Sequence, residues 1–166
     1  MAFEYSQVED DVVARLLTPN ALPAAYRVIP MPEKESEFDN GLKSVLIIVA
    51  YSDSLFDTPT ATDIVKQNET VTVLCNIKSP RLRGENSINQ ALQLLKILLV
   101  GYRPSNLSKL WLQKIEFDER NVENNYFSYN MTFAGKKLNV EVTADELLPL
   151  LQAVTFREQY QAPEFI

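Results

Sequence analysis

Glu69-Thr70-Val71-Thr72-Val73-Leu74-Cys75-Asn76-Ile77 alternates apolar and polar side chains. Successive residues of a strand point to opposite faces. Val71, Val73, Cys75 and Ile77 therefore share one face, and Thr70, Thr72 and Asn76 share the other. The pattern predicts a half-exposed strand lying on a core. Ser79-Pro80-Arg81-Leu82-Arg83-Gly84 breaks the alternation, and Asn86 or Ser87 is placed to cap a helix. Ile88, Ala91, Leu92, Leu95, Leu98 and Leu99 then recur at helical spacing as a wide apolar stripe. Gly101 stands where helices commonly end in left-handed backbone, and Pro104 follows at the expected distance.

Toward the N-terminus, Ser44-Val45-Leu46-Ile47-Ile48-Val49-Ala50-Tyr51 is continuously apolar and β-branched, which predicts a strand covered on both faces. Ser6-Gln7-Val8-Glu9 has the spacing of a capping box. Val8, Val12 and Leu16, with Val13 and Leu17, make one face of a helix that Thr18-Pro19-Asn20 ends. Pro23, Pro30 and Pro32 leave room for a short strand at Tyr26–Ile29. The polar stretches Glu33–Gly41 and Ser52–Asp63 read as loops.

Toward the C-terminus, Leu110–Phe117 and Asn125–Ala134 read as a hairpin whose long polar tip is Asp118–Asn124. Gly135-Lys136 reads as a tight turn leading to a strand at Leu138–Val142, and Thr143-Ala144-Asp145-Glu146 opens a third, short helix. The expected class is α+β: a mostly antiparallel sheet with two main helices packed on one face and a short C-terminal helix. Residues 1–151 are expected to form a single domain and residues 152–166 a C-terminal arm.

Composition narrows the chemistry. The chain has 166 residues, enough for one domain with its own core, and its 46% apolar and 23% charged content is ordinary for a globular protein. No apolar run nears the roughly 20 residues of a membrane span. The N-terminus has no basic, apolar leader pattern, so folding in a cytoplasm is expected. Histidine is absent, which removes the commonest general base and metal ligand. The single cysteine, Cys75, sits in the alternating run and reads as a buried hydrophobe. A net charge of −6 disfavours gripping a phosphate backbone, although like charge would let DNA slide past. Gly41, Gly84, Gly101 and Gly135 are too scattered to cradle a phosphate.

The carboxylate groups Glu9-Asp10-Asp11, Asp118-Glu119 and Asp145-Glu146 are the one remaining catalytic option, as divalent-cation ligands of a nuclease. Helix first turns and a solvated hairpin tip explain them better. No catalytic residue, cofactor or metal is therefore expected. Arg81 and Arg83 form the one compact basic group and read as a solvated loop, as a contact to an acidic neighbouring subunit or, third, as a phosphate contact. Most aromatics, Trp111 above all, are expected in the core. Phe156, Tyr160 and Phe165 in the polar tail fit an arm that docks on a partner.

The order of these segments resembles the Mu-like phage tail terminator family. The resemblance rests on the opening helix Val8–Leu16, the strand Ser44–Tyr51, and the strand Glu69–Ile77 followed by the helix ending Leu98-Leu99-Val100-Gly101-Tyr102-Arg103-Pro104. Trp111–Phe117 and the strand Tyr126–Phe133 complete it. It covers about residues 6–142. It implies a structural virion protein, not an enzyme, assembled in the host cytoplasm as a hexameric ring at the head-proximal end of the tail. Such a ring stops growth of the tail tube, and of the sheath in contractile tails, and joins the tube to the neck or head-completion protein. Genomic DNA passes through it without sequence-specific binding, and no membrane is involved. In that setting Arg81, Arg83, Asp118, Glu119, Tyr160 and Phe165 are the candidate contacts to neighbouring subunits or partners. Another neck or head–tail adaptor protein is the first alternative, a metal-dependent nuclease the second, and a nucleic-acid-binding accessory protein the third.

Overall fold

A computed structural model describes residues 4–34, 42–59 and 63–141. In chain order these form α1 (Tyr5–Leu16), β1 (Arg27–Pro30), β2 (Leu46–Phe56), β3 (Lys66–Ser79), α2 (Ile88–Leu99), β4 (Trp111–Asn121) and β5 (Tyr126–Val140). The strands make one sheet in the order β1-β2-β3-β5-β4. β1 runs parallel to β2, while β2–β3, β3–β5 and β4–β5 are antiparallel. The alternating stretch is thus the central strand.

Val71, Val73, Cys75 and Ile77 of β3 are fully buried, as their spacing predicts. They pack in one cluster with Ile47, Val49, Met131 and Phe133 of neighbouring strands, and with the apolar stripes of both helices. Those stripes are Val8, Val12 and Leu16 on α1 and Ile88, Ala91, Leu95 and Leu99 on α2, so both helices lie on one face. Each valine, leucine and isoleucine among them contributes about 1.5–3 kcal/mol by leaving water. Leu46, Ile48 and Ala50 point to the opposite face and are buried too, so the first half of β2 is covered on both sides.

Local signals hold at α2. Ser87 accepts from Gln90 N at its start, and Gly101 follows its end with φ 84°. Elsewhere tertiary contacts override them. α1 begins at Tyr5, with Glu4 at the N-cap and no side-chain cap, so the Ser6 capping box does not form. Tyr5 is drawn into the helix by stacking on Tyr51, centroids 4.4 Å apart, and by donating to Glu69 at 2.6 Å. Glu9 reaches the sheet instead and accepts from Tyr51 N at 2.6 Å.

Strands also run further than composition implies. β2 continues through Ser52–Phe56, expected as loop, because a bulge between Tyr51 and Asp53 keeps the segment in register with β3. β4 continues to Asn121, so Asp118 and Glu119 lie in a strand rather than on a hairpin tip; the turn follows at residues 122–125, with Asn125 at φ 52°. β5 passes straight through Gly135-Lys136, which is no turn: Gly135 pairs with Val71, and a Cβ there would sit 2.6 Å from Leu107 Cδ2. Trp111 is not core. It opens the edge strand opposite Ala134 and is 36% exposed. The expected third helix and the arm at 152–166 lie outside the described residues.

β1 pairs with β2 only as far as Val49, and β4 pairs with β5 only from Ala134 back toward Tyr126. Beyond those points the sheet narrows to a three-stranded ribbon: Ser52–Phe56 of β2, Lys66–Val71 of β3 and Gly135–Val140 of β5.

Candidate functional site

The face of the sheet turned away from the helices is polar toward β4. Asn76 stands at its centre and donates through Nδ2 to Asn130 Oδ1 at 2.7 Å and to Ser128 Oγ at 2.8 Å. Ser128 donates onward to Asp118 Oδ2 at 3.0 Å. Asp118 continues the face of Lys114 and Glu116 that carries this ladder, and the bulge between Phe117 and Glu119 sets Glu119 opposite Ser128 as well. Glu119 Oε1 accepts from the Tyr126 hydroxyl at 3.1 Å. Burial, then that carboxylate, push the Tyr126 hydroxyl above its ordinary pKa. Lys114 and Glu116 pair on the same strand at 3.0 Å, both exposed.

The loop carrying Arg81 and Arg83 is held by its backbone. Ile88 N and Asn89 N donate to the carbonyls of Arg81 and Leu82, and Ser87 Oγ donates to that of Gly84, whose φ is 91°. Ser79 Oγ donates to Asn86 O and accepts from Arg81 N. Both arginine side chains are exposed on this fixed base. Ser79 pairs with Phe127, and Phe127 with Arg120. The arginine loop and the Asp118-Glu119 pair thus lie at the same end of the sheet. Tyr160 and Phe165 lie outside the described residues.

Three other carboxylates, Glu9, Asp11 and Glu69, are engaged within the fold. Glu9 holds the β2 bulge through Tyr51 N, and Asp11 accepts from Ser105 N at 2.8 Å. Glu69 is 1% exposed and accepts from Tyr5 and Ser54 on one oxygen and from Asn139 on the other. Burial alone would raise its pKa. The hydrogen bonds from Tyr5, Asn139 and Ser54, with the charge of Lys137, outweigh burial and leave it below the ordinary value. Among the described residues, no three acidic or cysteine side chains converge as a metal site would require. Cys75 is fully buried, and burial pushes its thiol up to about 12. Among the described residues no helix is long and apolar enough to cross a membrane.

Sequence reading missed the ribbon. Leu55, Phe56, Ile64, Val65, Leu138 and Val140 are all exposed at this end of the sheet. By strand register Leu55, Leu138 and Val140 share one face and Phe56 lies on the other, and exposed apolar side chains gathered on a face mark contact surfaces. The available signal was Leu55-Phe56 inside an otherwise polar stretch, which singly looks unremarkable.

The fold has a counterpart in a multi-protein particle. A chain of the virion of a native gene transfer agent particle is similar over 81% of this chain and 96% of that one, with a TM-score of 0.52 and 12% sequence identity. No curated protein matches. Residues 12–158 match the family described as Gp37 protein, and the chain belongs to that family.

Proposed function

We propose that the chain is a structural component of a phage-type virion and acts as its tail terminator. A ring of copies closes the head-proximal end of the tail tube, stops its polymerisation, and offers its other face to the neck or head-completion protein. The observation that carries this reading is the shared fold, which spans nearly the whole of a chain from a gene transfer agent virion. The order of helices and strands that resembles the Mu-like tail terminators supports it, as does the net charge of −6 around a channel that must pass DNA without holding it. The role asks for position rather than turnover, and Glu9, Asp11 and Glu69 are occupied in holding strands, a bulge and a helix to one another.

Adding the purified protein to polymerising tail tubes is the direct test. Tubes of fixed length, with the protein imaged at one end, are expected. Unlimited tube growth with the protein present would overturn the assignment. A neck or head–tail adaptor rests on the same shared fold and would bind portal complexes in preference to tubes. Cleavage of DNA in magnesium or manganese, lost on Asp118→Ala, would replace both with an enzyme.

A further inference from the structure

Resting on the assembly reading above, we propose that copies of this chain join through the three-stranded ribbon, the outer edge of β5 at Leu138–Val140, just past the Lys136–Ser108 bonds, pairing with the outer edge of β2 at Asp53–Phe56 in the next copy.

The sheet manages its edges unequally. β1 is four residues long, ends at Pro30 and is followed by Pro32, and proline offers no N–H to an incoming strand. β4 carries two bulges, at Gln113 and Asp118, and the charges Lys114, Glu116, Glu119 and Arg120. Both devices discourage strand addition. The ribbon edges are less protected: β2 has one bulge, at Ser52, followed by Asp53, and β5 has Lys136 and Lys137 but neither a bulge nor a proline. On β5, Lys136 exchanges bonds with Ser108 outside the ladder, Lys136 N donating to Ser108 Oγ and Ser108 N to Lys136 O. Backbone groups alternate sides along a strand, so those of Leu138 and Val140 also point outward, while Glu141 N turns inward to Val65 O. On β2, Asp57 N donates inward to Asn68 O, which sends the backbone groups of Ser54 and Phe56 outward. Among the described residues no strand lies beside either edge.

Side chains fit the same pairing. Leu138 is 56% exposed and Leu55 65%, flanked by exposed Val140 and Phe56. Arg103, Lys109 and Lys136 stand along the β5 side, and Asp53 and Asp57 along the β2 side, all exposed. A basic edge and an acidic edge suit each other and repel their own kind. The contact is therefore head-to-tail, the type that closes into rings. Because β2 and β5 are each antiparallel to β3, they run parallel to one another, and joined copies continue one sheet in the same sense.

The test uses the full chain. Leu138→Pro removes an outward N–H that β3 does not use, and Asp53→Lys with Asp57→Lys reverses the opposite edge on exposed positions. Each variant is expected to weaken self-association about tenfold or more in light scattering after size exclusion, with circular dichroism and urea midpoint close to wild type. Mixing the two restores one intact edge of each kind, so heterodimers and nothing larger are expected. Wild-type protein that stays monomeric at every concentration would overturn the proposal. So would Leu138→Pro or, should that variant misfold, the aspartate variant assembling like wild type. Tube capping is scored separately. Capping by a variant with both edges altered leaves the tail role standing and removes the ribbon contact. Association through the ribbon without capping does the reverse.

Discussion

Replacing Gly135 by alanine tests how the chain closes over β5. Gly135 lies within that strand, and the glycines with left-handed backbone are Gly84 and Gly101, so backbone strain is not at issue. Space is. A methyl group there would stand 2.6 Å from Leu107 Cδ2, 2.8 Å from Leu107 Cγ and 3.2 Å from Leu110 Cδ2. Cγ is the branch point of a side chain only 3% exposed, so it cannot swing into solvent. Forcing a methyl into such a contact costs about 1–3 kcal/mol. The loss of freedom in the unfolded chain returns about 0.4–1 kcal/mol. A net destabilisation of about 1–2 kcal/mol is expected, seen as a lower urea midpoint at unchanged slope and a melting temperature lower by about 3–6 °C. Leu107→Ala alone should cost about 2–5 kcal/mol by opening a void. With Gly135→Ala in the same chain the methyl occupies part of that void, so the two costs should fall short of additivity by about 1 kcal/mol or more. A raised midpoint for Gly135→Ala, or strict additivity, would refute the close approach of the segment around Leu107 to β5.

Glu69 makes stability depend on pH in a defined direction. Its folded pKa lies below the ordinary 4.5, so its contribution is complete above that value and disappears as pH falls through the folded value. Glu69→Gln should flatten this acid limb in thermal melts taken from pH 6 downward, and a limb of unchanged slope would contradict the network. Tyr5 acts at the other end: hydrogen bonding to Glu69, then burial, raise its pKa above 10.0, so stability should fall as pH rises above 10.0, and Tyr5→Phe should lessen that fall, which Tyr26, Tyr102 and Tyr126, also raised, share. Cys75, fully buried with its thiol raised to about 12, should react with thiol reagents only as fast as the protein unfolds; immediate labelling of native protein would show the core open. Arg81→Glu with Arg83→Glu should leave the melt unchanged, because the loop is held by backbone bonds, while impairing assembly or docking; unchanged assembly by microscopy would remove these arginines from the interface.

What could be read from residue order was whatever depends on burial periodicity. The alternation of Val71 to Ile77, the stripe from Ile88 to Leu99 and the run Ser44–Tyr51 all report how many faces are covered, and each element lies where its pattern implies. What failed was termination. Ser52–Phe56 and Gly135-Lys136 have turn-like composition, yet each is held by a long antiparallel partner, and β3 supplies hydrogen bonds whatever the side chains are. Ser6 lost its cap because Tyr5 found Tyr51 and Glu69, contacts spanning 64 residues of chain in the second case. Of the candidate contacts, Arg81 and Arg83 could be proposed from sequence because charge clustered in a broken loop is local information. The ribbon could not be, since its exposed apolar surface exists only once Leu55 and Leu138, far apart in sequence, are brought to the two strands that flank β3.

The buried carboxylate bears on how the ribbon is held to the core. A catalytic acid is commonly raised toward neutral pH by burial and left with a proton to give. Glu69 is buried and yet lowered, because three donors from three different elements hold it in its charged form. Tyr5 opens α1, Ser54 lies in β2 and Asn139 in β5, while Glu69 itself is in β3. One side chain therefore ties the helix to all three strands of the ribbon. A hydrogen bond to a charged group contributes about 1.5–3 kcal/mol, and a buried partner left without one costs more. Strength placed there stiffens the ribbon where it leaves the helix-covered core. A stiff edge loses little conformational freedom when another strand is laid against it, and that saving appears as affinity. The single buried ionisable cluster among the described carboxylates thus serves geometry, and the geometry it holds is that of the surface offered for assembly.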